Sequence, residues 1–291
     1  MSAIGDAHIL ERFWSEMRIA KRSQATIDKR LELLYRLSKF IAPTSLTEAS
    51  REQLLAFQAT FADRAPATVD IYTRHMRAFY GWALDTEFIA VDPTVRLPRP
   101  HVPKGVPHPT ATEDLTTIFA CTVGGLRRAY VLAAFAGLRC GEICRLQAQH
   151  IDRYGPRATA WIQGKGGRER TVPLLAPVLE EIAAMKRTGW VVTTTTGHPY
   201  TVPNRLSVDS HNHLSELGIE TTLHSMRHWF ATNVQKLTKD PLLVQALLGH
   251  ESLASTQIYV QNDMSDAAQR MQTFANFAGS VVERPHLRIV R

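Results

Sequence analysis

Six side chains toward the C-terminal end of the sequence are of the types that handle a phosphate: Arg139, Lys165, His224, Arg227, His250 and Tyr259. A guanidinium offers a planar fork of N–H donors that matches two phosphate oxygens. Arg139 follows a break at Gly137-Leu138 and precedes a helix start, where backbone N–H groups also favour an anion. Lys165 sits in the turn Gly164-Lys165-Gly166-Gly167 and can reach outward. His224 and Arg227 fall three apart at the start of a helix and share a face. That helix is expected to bury Met226, Phe230, Val234 and Leu237, leaving the His/Arg face free. His250 follows Gly249, a predicted helix C-cap, and Tyr259 comes later on a short helix. Each also has an ordinary reading. Arg139 can be a surface ion pair, the glycine-rich turn a plain hairpin, the histidines satisfied core residues and Tyr259 half-buried packing. The turn is not a P-loop, because no Ser or Thr follows the lysine.

The elements that must hold these groups read as two domains. Apolar residues recur at helical spacing through Ile9, Leu10, Phe13, Trp14 and Met17. Ser23 can cap a second helix carrying Ile27, Leu31, Leu34 and Leu37. Ser50 with Gln53 makes a capping box for a third. A fourth runs from near Ala67 to before Asp92-Pro93, since the residue before proline disfavours the α region. Prolines 98, 100, 103, 107 and 109 then keep the chain extended, which predicts a linker over 96–109 between a helical domain, 1–95, and a second domain, 110–275, with a tail over 276–291. The second domain opens on Thr110 and Glu113, read as another capping box. Helices follow at about 112–122, 126–137 and from Gly141. Trp161-Ile162 and Thr171-Val172 are two short strands around the glycine turn. A helix near 175–187 and a β-rich stretch, Trp190 to Thr196, come next. Helices close the pattern at about 203–217, 225–237, 240–248, 253–260 and 263–277.

Bulk properties narrow the field. The 291 residues are 44% hydrophobic and 21% charged, which suits folded domains rather than a disordered polyelectrolyte. Net charge is +7, split +3 before Thr110 and +4 from there on, so both domains are basic and a polyanionic partner is indicated. Three cysteines without a CxxC pair argue against a disulfide framework or a cysteine-rich zinc site. The pair His211 and His213 lacks partner ligands at metal spacing, and Cys140 with Cys144 reads as packing. No signal peptide and no apolar stretch of spanning length is visible, so a cytoplasmic protein without membrane association is expected.

Taken in order, Arg139, Lys165, His224-x-x-Arg227, Leu247-Leu248-Gly249-His250 and Tyr259 resemble the catalytic signature of the tyrosine recombinase, or phage integrase, family. The strings Ala136-Gly137-Leu138-Arg139-Cys140-Gly141-Glu142, Leu223-His224-Ser225-Met226-Arg227-His228 and Ser255-Thr256-Gln257-Ile258-Tyr259 carry the same likeness. It is strong over about 110–262, and the helical first domain resembles the family's core-binding domain with weaker motifs. The resemblance implies a mainly α fold with a small antiparallel sheet, its core-binding (SAM-like) and catalytic domains closing on double-stranded DNA as a C-shaped clamp. It implies that Tyr259 attacks the scissile phosphodiester to form a 3′-phosphotyrosyl bond, which conserves bond energy without ATP. Arg139 and Arg227 would hold the nonbridging oxygens, Lys165 would protonate the 5′-oxygen, His224 would assist proton transfer at the tyrosine, and His250 would hydrogen-bond the phosphate. Glu142 stands where the family carries an acidic supporting residue. Two arginines neutralise what a metal neutralises elsewhere, so no cofactor or metal is expected. Exchange of four strands implies a homotetramer on two synapsed attachment sites, with a host factor or excisionase as accessory.

A DNA-contacting set is read in Arg18, Lys21, Arg22, Lys29, Arg30, Arg74, Arg77 and Arg168, with a solvated helix surface as the open alternative for the first five. The helical pattern begins near Ile9, so no arm-binding domain is expected, and the segment Gln235–Asp240 looks more like that of actinobacterial-phage integrases. Neighbouring readings are an Xer-type dimer-resolution recombinase, from whose Leu-Leu-x-x-Gly-Ala-Asp pattern Gln235–Asp240 departs, and a type IB topoisomerase. A non-catalytic DNA-binding protein is the reading from another class, and it has no need of a nucleophile.

Overall fold

The computed structural model describes residues 2–103, 106–153, 158–164 and 167–249. Lys165, His250 and Tyr259 therefore lie outside the described residues, as do the helices expected at 253–260 and 263–277 and the tail at 276–291. The chain divides into two compact units, Met1–Gly105 and Val106–Arg291.

The first unit holds α1 (Ser2–Ile19), α2 (Gln24–Ile41), α3 (Arg51–Ala59) and α4 (Pro66–Asp85). Ser23 Oγ accepts from the Thr26 amide at 3.3 Å, the expected cap of α2. Ser50 and Gln53 close the expected capping box on α3, with amide-to-side-chain bonds of 3.3 and 2.9 Å. Pro66 opens α4, where a missing N–H costs nothing. These helices bury one core, including Leu10, Phe13, Leu34, Leu37, Leu54, Met76 and Phe79. One expected boundary shifts. α1 starts at Ser2 rather than near Ile9. α4 stops at Asp85, before Asp92-Pro93 as expected, because Glu87 takes the left-handed region at φ 61°. The segment beyond is tied down as far as Arg99. Leu97 is buried, Gln58 donates to the Pro98 carbonyl at 2.8 Å, and Arg99 pairs with Asp70 at 2.8 Å.

The second unit holds α5 (Thr112–Cys121), α6 (Gly124–Ala136), α7 (Cys140–Arg145), β1 (Ile151–Asp152), β2 (Thr159–Gln163), β3 (Glu169–Pro173), α8 (Ala176–Ile182), α9 (Pro203–Glu216), α10 (Leu223–Thr238) and α11 (Pro241–Leu248). α6 is buried almost all round, from Ala129 to Ala136, with α8 and α10 packed on it. The sheet is antiparallel in the order β1-β2-β3, with Trp161 opposite Thr171 and Ile162 opposite Arg170. Ala160, Ile162 and Val172 point into the core. The fold is mainly α with a small antiparallel sheet, as the resemblance implied.

Several local expectations are corrected. Thr110 does not cap α5. It is buried, its hydroxyl bonded to that of Thr221 at 2.6 Å, and Ala111 takes the cap position without a side-chain bond. β1 was not expected. The stretch Trp190–Thr196 forms only isolated bridges, to Gln147 and Pro199. The helix expected near 175–187 ends at Ile182. Leu237 is 85% exposed rather than buried. Among the described residues, no helix is long and apolar enough to cross a membrane.

Candidate active site

The turn between α6 and α7 places Arg139. Gly137 ends α6 in the left-handed region at φ 63°, and a Cβ there would meet the Phe230 ring at 2.6 Å. Only glycine lets α10 approach this closely. Arg139 then caps α7 through a reciprocal pair of contacts with Glu142. Its amide donates to Glu142 Oε2 at 2.8 Å, and Nη1 donates to Oε1 at 3.0 Å. The Arg139 side chain remains 37% exposed, able to meet a ligand.

The start of α10 brings in His224 and Arg227. Thr222 Oγ1 accepts from the Ser225 amide at 3.0 Å and sets the first turn. Arg227 is not on a free face. It is 2% exposed, with Nη2 donating to the Leu248 carbonyl at 2.8 Å and Nη1 to the Gly137 carbonyl. The expected free face fails because α10 is covered by α6 and α11 together, so the first turn is buried on more than its apolar stripe. His224 is exposed, its ring 4.3 Å from that of His228. Desolvation by the surrounding protein first, then the cations of Arg227 and Arg139, lower the His224 pKa and favour neutral imidazole. His228 is lowered to about 4 by burial and by His224 and Arg227.

Arg139, His224 and Arg227 line one pocket of about 260 Å³, together with Thr222, Ser207 and His211. Two guanidiniums beside a neutral imidazole form a site for an oxyanion that gains charge during reaction.

Beneath it, Glu142, which the sequence reading named, meets Arg170, which it missed. Glu142, 1% exposed in its side chain, accepts from Arg170 Nη1 at 2.8 Å and Nη2 at 2.9 Å. Burial alone would raise its pKa. The Arg170 fork, the Arg139 amide and both cations outweigh that and hold the carboxyl at about 2. Arg170 Nε reaches the Leu247 carbonyl at 2.9 Å. A signal existed: Arg170 stands two residues from the inward Val172 on β3, so strand alternation turns a charged side chain toward the interior.

The remaining candidates divide. Arg18, Lys21, Arg22, Lys29, Arg74 and Arg168 are exposed. Arg18 lies over the Trp14 ring at 4.8 Å, and Arg74 pairs with Asp70 at 2.9 Å. Arg30 is half-buried and donates to His75 Nδ1 at 3.4 Å. Arg77 is bound to the Val95 and Leu97 carbonyls at 3.3 and 3.1 Å, which gives it a structural task. His213 bonds Thr122 Oγ1 at 3.0 Å. Cys140 Sγ packs 3.2 Å from the Pro203 carbonyl.

Comparison with known proteins agrees with this geometry. The chain matches the phage integrase family over residues 125–266, a span that includes all six phosphate-handling side chains. It is 29% identical to a tyrosine recombinase XerC of Erythrobacter litoralis, covering 75% of this chain and 76% of that protein. It is 27% identical to a tyrosine recombinase XerA of Pyrococcus furiosus, covering 94% of this chain and 97% of that one. Among solved structures, lambda integrase as a dimer bound to a COC′ core site shares the fold at a TM-score of 0.72, with 15% identity and coverage of 88% and 95%. With Arg139, His224 and Arg227 gathered on one pocket, residues 125–266 form a phage integrase family domain, and the chain is similar along most of its length to tyrosine recombinases.

Proposed function

We propose that this protein is a site-specific recombinase that integrates and excises a phage or prophage genome, with Tyr259 as its nucleophile. The observation that carries the chemistry is the convergence of Arg139, His224 and Arg227 on one pocket. The tyrosine oxygen attacks phosphorus and its proton passes to His224, which desolvation and two cations favour in the neutral, proton-accepting form. A tyrosine hydroxyl has a pKa near ~10, so it needs that acceptor. The P–O bond to the 5′-oxygen breaks, and Lys165 supplies the proton that makes a 5′-hydroxyl. Arg139 and Arg227 take the charge that builds on the nonbridging oxygens, and His250 adds a hydrogen bond. Attack by the 5′-hydroxyl of another strand reverses these steps and reseals the DNA. Four such exchanges need a homotetramer on two synapsed duplex sites. The helical unit, with Arg18, Lys21, Arg22 and Lys29 exposed, serves as a core-binding domain on the duplex, and Arg168 contacts DNA from the catalytic unit.

A second reading is resolution of chromosome or plasmid dimers. It is favoured by the alignment of an Xer recombinase along nearly the whole chain. The two readings separate on substrate: recombination between unlike phage and host attachment sites supports integration, and recombination between two copies of one chromosomal site supports resolution. The nucleophile is tested by Tyr259→Phe on a nicked suicide substrate. The variant should bind DNA and form no covalent adduct on a denaturing gel. A persisting adduct would assign the attack to another residue.

A further inference from the structure

Arg170 has no role in the steps above, yet it is the best-bonded arginine of the site. Three guanidiniums from three places converge on the end of α11, where helix carbonyls lack intrahelical partners and the dipole is negative. Arg170 takes the Leu247 carbonyl at 2.9 Å, Arg227 that of Leu248 at 2.8 Å, and Arg139 that of Gly249 at 3.3 Å. Glu142 is the second anionic centre, and its bonds are unequal. Arg170 meets both carboxylate oxygens with both terminal nitrogens, at 2.8 and 2.9 Å. The Arg139 guanidinium meets one oxygen at 3.0 Å, and Arg227 stands off at 3.7 Å. Arg145 and His150 flank Glu142 on the far side. Arg170 is 12% exposed and, unlike Arg139 and Arg227, does not line the pocket. The backbone is shaped around it, since a Cβ on Gly249 would meet the Arg170 guanidinium at 3.0 Å.

We propose that Arg170 is a positioning residue for strand cleavage: its fork saturates Glu142 and pins the end of α11, so that Arg139 and Arg227 offer their charge to the scissile phosphate rather than to Glu142. Three guanidiniums against one carboxylate leave a surplus of two positive charges around the pocket. That surplus matches the double negative charge of a pentacoordinate phosphorane. Without Arg170 the surplus halves, and Glu142 becomes a competitor for Arg139. The inference rests on the recombinase reading.

The test uses the full chain with Arg170→Gln, Arg170→Lys and the double variant Glu142→Gln/Arg170→Gln. DNA affinity, single-turnover cleavage of a nicked suicide substrate and thermal unfolding are measured for each. Arg170→Gln should keep DNA affinity and lose cleavage by about a hundredfold, the scale of a small misplacement of reacting groups. Arg170→Lys should fall between it and wild type. The double variant should regain about tenfold over Arg170→Gln. A glutamine does not compete for Arg139 as a carboxylate does, while its carbonyl still caps the Arg139 amide. Should Arg170→Gln not fold at the assay temperature, Arg170→Lys is judged on the same split between affinity and rate. Wild-type cleavage in these variants, a proportional loss of affinity and rate, or a double variant no faster than Arg170→Gln would overturn the proposal. A wild-type chain that forms no adduct would instead sink the recombinase reading itself.

Discussion

Arg227 Nη1 lies 3.7 Å from Glu142 Oε2, and both side chains are almost wholly buried, at 2% and 1% exposure. A buried cation is tolerable only when opposite charge and hydrogen bonds compensate it. Here Glu142 supplies the charge and the Gly137 and Leu248 carbonyls supply the bonds. The pair therefore ties the chemistry to the fold: the same guanidinium that lines the pocket also joins the ends of α6 and α11.

Arg227→Lys should lose most single-turnover cleavage and also destabilise the protein by about 3 kcal/mol, because an ammonium cannot make the same planar set of bonds in a buried site. Arg139→Lys should lose most cleavage at a stability cost of about 1 kcal/mol or less, since its side chain is 37% exposed. Denaturant unfolding beside single-turnover kinetics separates the two. Near-normal cleavage in either variant would remove that arginine from the phosphate.

Lys165→Ala should cleave ordinary DNA poorly and a 5′-bridging phosphorothiolate well, because a thiolate leaves without a proton. Equal defects on both substrates would show that Lys165 is not the acid.

The Glu142 carboxyl is held at about 2 against an ordinary 4.5. A depressed carboxylate stabilises the folded state fully above its unfolded pKa and loses that contribution as pH falls through its folded one. The stability advantage of wild type over Glu142→Gln should thus be largest above pH 4.5 and shrink as pH falls toward 2. Urea unfolding across that window reads it, and an advantage that grows with acid would contradict the ionised assignment.

Gly137→Ala should be strongly destabilising, because the residue has φ 63° and its Cβ would strike the Phe230 ring. Gly81→Ala, inside α4 with no heavy atom within 4 Å of the added methyl, should instead stabilise by about 0.5–1 kcal/mol. Thermal unfolding of both variants is the check. Similar effects at the two glycines would mean that backbone entropy, not close packing, sets the value at Gly137.

Local order determined much of what could be read without coordinates. The α2 cap at Ser23, the capping box at Ser50 and Gln53, the break at Gly137, the helix end at Gly249, and the two strands around Trp161 and Thr171 are all short-range features. Each depends on residues close in sequence, so spacing and residue type suffice to predict them. The same holds for the ordered set Arg139, Lys165, His224, Arg227, His250 and Tyr259, whose local strings carry the family likeness.

Long-range contacts decided the rest. Thr110 has the residue type and spacing of a helix cap, but its hydroxyl goes to Thr221, more than a hundred residues away. The α10 pattern leaves Arg227 on a polar face, yet α6 and α11 close over it and turn it into a buried brace. Arg170 lies far in sequence from the Leu247 carbonyl, and strand alternation says that it points inward without saying what it meets. By itself the sequence determined which groups are available for phosphate chemistry and in which local elements they sit. Only the tertiary structure decided how their charges are shared, because a guanidinium's partners are set by whichever carboxylates and helix-end carbonyls the folded chain brings within hydrogen-bonding distance, and those lie in distant parts of the sequence.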